Sequence, residues 1–302
     1  MSTLEHNIRR VLEILLPKIQ ARHQDSPELI VLGIAGLQGS GKSTWASKIR
    51  QLLTDEHHLR TVIISLDDLY KTHDGLIAQR DANPENKLYR TRGQPGTHDE
   101  QLAVQFFRKL REYKGEGETP LGIPSFDKSK FNGEGNRAPE SLWPTITSKP
   151  DIIIFEGWCV GFRPLPLSEV EQKLQLVQDG KSFGSTSALA NHKLEHLLEV
   201  NENLENYCNT FMGPQHFDFM IHIDTDDLSN VYKWRLQQEH KLIEATGMGM
   251  KDEEVSAFID GYIPGYELYL DRFREGFFDG QRGRQVRVVL DKERRIEKID
   301  EL

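Results

Sequence analysis

Apolar residues near the start of the chain recur at three- and four-residue intervals: Leu4, Ile8, Val11, Leu12, Leu15, Leu16 and Ile19. That spacing predicts an amphipathic N-terminal helix within residues 1–26, disturbed in its last turns by Pro17 and ended by Pro27. The pattern then changes. Residues 29–35 are almost wholly apolar, as befits a strand buried on both faces of a parallel sheet. Helical spacing returns over 43–56, and residues 61–66 read as a second buried strand. Helical patterns follow near 75–81 and 99–113, with further buried strands at 151–155, 217–223 and 285–290 before a charged tail. Helices are predicted over 227–246 and 252–260, continuing after Pro264 to about 275. Strand–helix alternation of this kind gives a layered α/β sheet with right-handed crossovers.

Two stretches fall outside the alternation. Residues 114–148 are rich in Gly, Pro, Ser and charge, and are too long for a passive connection. Residues 163–215 are polar, with helices near 168–178 and 187–208, and read as a peripheral insertion. No internal repeat is visible.

Composition narrows the class. A chain of 302 residues with 37% hydrophobic positions can bury a large core, as one large domain or two small ones. Its 38 Lys and Arg against 47 Asp and Glu leave a net charge of −9, which argues against nucleic acid as the main partner. Two cysteines, Cys159 and Cys208, make no disulfide framework and point to a reducing compartment. No apolar run nears the ~20 residues that span a bilayer, and the first 25 residues resemble neither a signal nor a transit peptide. The expectation is a cytoplasmic enzyme without membrane or protein partners.

The chemistry starts after the first strand. Gly36, Leu37, Gln38, Gly39, Ser40, Gly41, Lys42 and Ser43 match G-x-x-x-x-G-K-S/T in full, with Thr44 next. Glycines free of Cβ constraint let successive N–H groups curl around phosphate oxygens, and the following helix aims its positive end at the same anion. Lys42 reaches the outer phosphates and the Ser43 hydroxyl serves Mg²⁺. ATP and Mg²⁺ are therefore the expected cofactors. The chain lacks an N/T-K-x-D segment for guanine and an L-S-G-G-Q-like segment of transport ATPases. Glu156, after four apolar residues and before Gly157, is placed to hold Mg²⁺ directly or through water. The second strand ends in Asp67 and Asp68, on the side of an α/β sheet that faces ligands. One of them can orient an acceptor hydroxyl in line with the γ-phosphate, Asp67 being preferred, while the other caps the next turn; two solvated turn aspartates remain the plain alternative.

These segments, with Phe155-Glu156-Gly157-Trp158, resemble the phosphoribulokinase, uridine kinase and pantothenate kinase group. Arg92-Gly93-Gln94-Pro95-Gly96-Thr97-His98-Asp99 is similar to a stretch of the D-glycerate 3-kinase family and its fungal kinase-like relatives. So are Pro124–Ser129, Gly133–Arg137, Tyr232 with Trp234–Glu239, and the Tyr262, Pro264, Tyr266, Tyr269 series. The resemblance covers residues 28–290 and implies one P-loop kinase domain over 1–302. Its fold would be a three-layer α/β sandwich of P-loop NTPase type, with a mainly parallel sheet and a helical lid over 227–265.

The same resemblance implies that Asp67 is the catalytic base, and a metal ligand beside Ser43 and Glu156. Arg235 becomes a lid arginine acting with Lys42 on the phosphates, against the alternative of an i, i+4 pair with Glu239. A glycerate carboxylate needs cationic or N–H partners, and Arg92, His98, Lys128 and Arg137 stand in the family-like loops, with Asp127 and Asp99 available to fix them. Tyr70 and Trp158 complete the expected acceptor pocket. Leu69 and Phe126 stand where the family usually has Phe and Tyr, which bears on acceptor identity. A kinase for a pantothenate-like or sugar-like acceptor, or an ATP-binding regulatory protein without transfer, stays open. With a net charge of −9, an anion-handling site has to concentrate Lys42, Arg92, Lys128, Arg137 and Arg235 in one crevice.

Overall fold

The computed structural model describes residues 3–181 and 188–302. The chain opens with α1 (Thr3–Asp25), β1 (Ile30–Gly36), α2 (Lys42–Asp55), β2 (Thr61–Ser65), α3 (His73–Ala82) and α4 (Glu100–Glu112). Four two-residue strands follow: β3 (Leu121–Gly122), β4 (Phe126–Asp127), β5 (Asn136–Arg137) and β6 (Thr145–Ile146). Then come β7 (Ile152–Gly157), α5 (Leu167–Gln178), α6 (Leu194–Tyr207), β8 (Phe219–Asp224), α7 (Ser229–Thr246), α8 (Asp252–Asp260) and α9 (Ile263–Glu275). The chain closes with β9 (Gln285–Leu290) and β10 (Ile296–Glu301).

β1 is buried along its whole length and sits inside a six-stranded sheet of order β10-β9-β8-β1-β7-β2. The five strands β9, β8, β1, β7 and β2 run parallel, so their C-terminal ends share one edge. Across that edge Ile34 is in register with Glu156, and Ser65 with the same Glu156, so the ends of β1, β7 and β2 lie side by side. The fold is a three-layer α/β sandwich with a mostly parallel sheet. One hydrophobic cluster runs from Ile8 of α1 through the strands to Val288 of β9. Among the described residues no helix is long and apolar enough to cross a membrane, and both cysteines are free and buried.

The N-terminal helix runs from Thr3 to Asp25 with Pro17 inside it, within the span expected from its apolar spacing. Two expectations need correction. The charged tail is not a tail: Ile296–Glu301 pairs antiparallel with β9 and closes the sheet edge. Its Glu297, Lys298, Asp300 and Glu301 suit an exposed edge strand, which charge protects from further pairing, and that is why it carries no apolar signal. The 163–215 segment is not merely peripheral either. In α6, Leu197, Val200, Leu204 and Tyr207 are buried in the main cluster at spacings of three, four and three. The helix expected over 187–208 divides into a 3₁₀ turn (Ala188–Asn191) and α6, and residue 187 lies outside the described residues. Residues 114–148 are ordered by two small ribbons, β3 with β6 and β4 with β5.

At the end of β8 the fully buried Asp224 takes Arg274 of α9 on both oxygens, at 2.8 and 3.1 Å, and Arg287 of β9 at 2.7 Å. Burial opposes its charge, but His222 and the two guanidiniums outweigh that and lower its pKa to about 2. Removing one partner from such a group leaves buried charge uncompensated. Asp224→Asn is expected to lower stability by about 3 kcal/mol, read as a shifted urea midpoint with unchanged slope.

Candidate active site

The phosphate loop joins β1 to α2. Gly41 caps α2 with φ 93°, a left-handed conformation that glycine adopts without strain. The first regular helical bond, Trp45 N–H to Gly41 O at 3.0 Å, leaves the earlier N–H groups of the turn as the ones a helix cannot pair internally. The rest of the loop is tied down. Gln38 N–H donates to the Tyr266 hydroxyl at 3.0 Å, and Ser40 N–H to Leu37 O at 3.1 Å. At Gly39, with φ 76°, a Cβ would lie 2.7 Å from Trp234 Cβ and 2.8 Å from Arg235 N, so α7 rests directly on the loop. The Ser43 hydroxyl donates to Glu156 Oε1 at 2.9 Å, and Glu156 is 4% exposed. Among the described residues its Oε2 is buried without a partner. A hydroxyl beside a half-satisfied buried carboxylate, at the helix N-terminus, fits a Mg²⁺ held through oxygen ligands.

Asp67 and Asp68 leave β2 in a 3₁₀ turn (Leu66–Leu69) and separate into two environments. Asp68 is structural, accepting from Ser65 N at 3.2 Å and Phe126 N at 3.3 Å. Burial pushes its carboxyl up to about 6, and the neighbouring Asp67 adds to that against the two N–H donors. Asp67 instead accepts from the Tyr70 hydroxyl at 3.0 Å and pairs with Lys128. Burial alone would raise it, but Lys128 and Lys42 outweigh burial and hold it well below the usual carboxylate range. Burial and Asp67 push the Tyr70 phenol far up, so it remains a donor. The structure thus joins Ser43 to Glu156, and Asp67 to Tyr70 and Lys128, as two adjacent pairings rather than one metal cluster. No group of three or more metal-ligating His, Cys, Asp or Glu side chains occurs among the described residues.

Four of the five cations gather around Asp67 and Tyr70, with different freedoms. Lys42 and Lys128 act on Asp67 as described, and the Lys128 side chain is exposed. Arg92 lies over the Tyr70 and Phe126 rings at 5.9 and 5.4 Å while donating to Gly133 O and Glu134 O, each at 2.6 Å. Arg137 is spent on structure, donating to Tyr70 O at 2.9 Å and Asp99 at 2.7 Å. Asp127 holds its own turn through Ser129 instead of fixing a site cation. Arg235 stands apart, beside Gly39, in the i, i+4 pair with Glu239 at 2.5 Å and over the Phe258 ring at 5.5 Å.

Two expected acceptor contacts are corrected. His98 is grouped by sequence with the cations, but burial lowers its pKa to about 3 against the pull of Asp67, so it is neutral. It stacks on Tyr70 at 4.4 Å, and its N–H and Nδ1 lie on the Tyr207 hydroxyl at 3.1 and 3.2 Å. Trp158 is 2% exposed, donates to Gly93 O at 2.9 Å and packs edge-on against Tyr262 and Tyr266. It shapes the Arg92–Asp99 segment from below and does not wall the pocket. Sequence reasoning missed Tyr207 and Tyr266, whose hydroxyls brace Gly96 and His98 on one side and the phosphate loop on the other. Tyr266 stands in a family-like series; Tyr207 has no local signal beyond its place on the apolar stripe of α6.

Residues 31–172 match the phosphoribulokinase / uridine kinase family. An uncharacterized kinase of Schizosaccharomyces pombe is 37% identical over 272 residues, which are 89% of this chain and 90% of that one. A chloroplastic D-glycerate 3-kinase of Arabidopsis thaliana is 32% identical over 93% of this chain, and 57% of its own length is matched. The solved structure of a D-glycerate 3-kinase from Cryptococcus neoformans superposes with a TM-score of 0.83 at 29% identity, covering 98% of this chain and 99% of that one.

The environment of Asp68 gives a pH signature. Its pKa rises from an ordinary 3.8 to about 6, so the folded state binds its proton more tightly than the unfolded state. Its contribution to stability is complete below the unfolded value and is lost as pH climbs through about 6. The stability of the wild type relative to Asp68→Asn should therefore decline across that window and stay level above it, measured by urea midpoints against pH.

Proposed function

The chain belongs to the phosphoribulokinase / uridine kinase family of P-loop kinases, and from that premise we propose that it phosphorylates a small hydroxy acid with ATP, D-glycerate to 3-phosphoglycerate being the first choice. The observation that carries the proposal is the state of Asp67. A carboxylate at the mouth of the phosphate loop, kept ionised by Lys42 and an exposed Lys128, suits an acceptor with both a hydroxyl and a negative charge. The likeness to two D-glycerate 3-kinases supports the same choice. The buried, free cysteines suit a cytoplasmic setting.

In this reading the N–H groups at the start of α2 and Lys42 hold the phosphates. Ser43 and Glu156 would hold Mg²⁺, which when bound would offset phosphate charge. The acceptor carboxylate takes Lys128 from Asp67. Lys128 is the exposed partner and can swing to the acceptor, which frees one Asp67 oxygen for the acceptor hydroxyl while Lys42 goes on holding Asp67 charged. Tyr70 keeps the other oxygen and fixes the carboxylate plane. The hydroxyl oxygen bonds to the γ-phosphorus as the bond to the bridging oxygen of ADP breaks, and the hydroxyl proton passes to Asp67. Arg92 faces the same pocket across the Tyr70 ring. Arg235 serves the phosphates only on exchanging Glu239, so its contribution belongs to the closed state of α7 and α8.

Two variants test this. ADP release with Mg·ATP should be stimulated by D-glycerate above other hydroxy acids and above neutral polyols. Asp67→Asn should cut the stimulated rate by about 10²–10⁴ with ATP affinity retained. Lys128→Met should raise the KM for the acid by about tenfold and narrow the preference for anionic over neutral acceptors. Stimulation by D-glycerate that survives Asp67→Asn overturns the assignment of the base. Silence with the whole panel, despite ATP binding, overturns the proposed substrate class.

A further inference from the structure

The turn between β9 and β10 holds a residue that no part of the kinase reading uses. Asp291 N–H bonds to Arg295 O, and Arg294 N–H to Asp291 O, each at 2.9 Å. This is a three-residue hairpin connection in which a type I turn is followed by a left-handed residue, a place that normally takes glycine. Here it is Arg294, with φ 59°. A non-glycine residue is strained in that conformation. Its side chain makes good the cost through contacts outside the hairpin.

Those contacts converge on the phosphate loop. Arg294 Nε donates to Gly39 O at 2.8 Å. Nη2 donates to Trp234 O at 3.0 Å and Nη1 to Gln237 Oε1 at 2.7 Å, both on α7. The guanidinium also covers the Trp234 ring at 5.5 Å, and the Trp234 indole N–H returns a bond to Lys292 O at 2.8 Å. The Gly39–Ser40 peptide is consequently gripped at both ends, its carbonyl by Arg294 and its N–H by Leu37 O. Gly39 also touches Trp234 and Arg235 directly, so a single planar cation joins the middle of the loop, the base of α7 and the end of the sheet.

We propose that Arg294 is a positioning residue for phosphate binding: it locks the phosphate loop to the base of helix α7, so that affinity for the polyphosphate depends on a side chain in the C-terminal hairpin. The first turns of α7, through Gln237, then move with the loop as one body. Any closing motion of α7 and α8 has its hinge beyond Gln237, where Leu242, Ile243 and Met248 are exposed and unburdened by the hairpin.

The left-handed backbone supplies a clean test. Arg294→Gly fits the turn better than arginine does and removes only the guanidinium; Arg294→Asn, whose side chain also tolerates this conformation, is the second variant. Binding of Mg·ATP and of inorganic triphosphate is measured by calorimetry, beside urea unfolding and amide exchange. In both variants the affinities for ATP and triphosphate should fall together, by about tenfold, the scale of one lost charge-assisted hydrogen bond. The urea midpoint of the glycine variant should not fall, and exchange should quicken over residues 37–40 and 230–237 alone. Unchanged triphosphate affinity overturns the proposal, whether ATP binding weakens through loss of a base contact or does not weaken at all. A lowered midpoint with unchanged affinities overturns it as well, since that marks a residue that serves only the fold.

Discussion

The first N–H groups of α2 have no partner within the helix, and they stand at the C-terminal edge of the sheet. An unpaired donor row in such a place is costly unless an anion or water meets it, and the architecture is organised around keeping that row aimed and open. β1 has to be central and fully apolar to bring the chain to that edge from within the sheet. Gly41 has to turn left-handed to start the helix there. Tyr266, Leu37 O and Arg294 take up the other polar groups of the loop, so that its remaining donors face one way.

Charge is arranged with the same economy. The chain is acidic overall, yet four cations surround the end of β2, and they are not equivalent. Arg137 is committed to Asp99 and the Tyr70 carbonyl, and Arg92 to two loop carbonyls. Lys42 and Lys128 set the ionisation of Asp67. Only an exposed lysine can exchange partners cheaply, which makes Lys128 the cation through which an acidic acceptor is best sensed. Adjacent aspartates thereby take opposite roles: Asp67 is held charged by two ammonium groups, while Asp68, on backbone donors in a dry turn, is driven toward its protonated form.

Much of this was legible along the chain because local spacing expresses local physics. Buried parallel strands need unbroken apolar runs, and all five parallel strands lie within two residues of the runs that predict them. A phosphate cradle needs glycines at fixed offsets. Less legible were the parts whose meaning depends on distant neighbours. The edge strand β10 is charged because it is an edge, so it reads as a tail. His98 has the side chain of a cation and the surroundings of a core residue, and only burial beneath Tyr70 and Tyr207 decides between them. Trp158, Tyr207 and Tyr266 brace the site from beneath, and an aromatic residue carries the same local signal whether it lines a pocket or supports one.

The sequence by itself determined the α/β class and the P-loop, and placed Ser43 at the start of the helix that follows it and Glu156 at a strand end, while the family resemblance narrowed the nucleotide-binding class toward kinases. Each of these rests on residues close in the chain, or on a motif whose geometry the backbone alone enforces. Tertiary structure decided which aspartate is free, which arginines are spent on the scaffold, and that the phosphate loop is clamped from the last hairpin by Arg294, 255 positions away from Gly39. Those are questions of burial and of partner, and neither property is carried by a residue until the chain has folded around it.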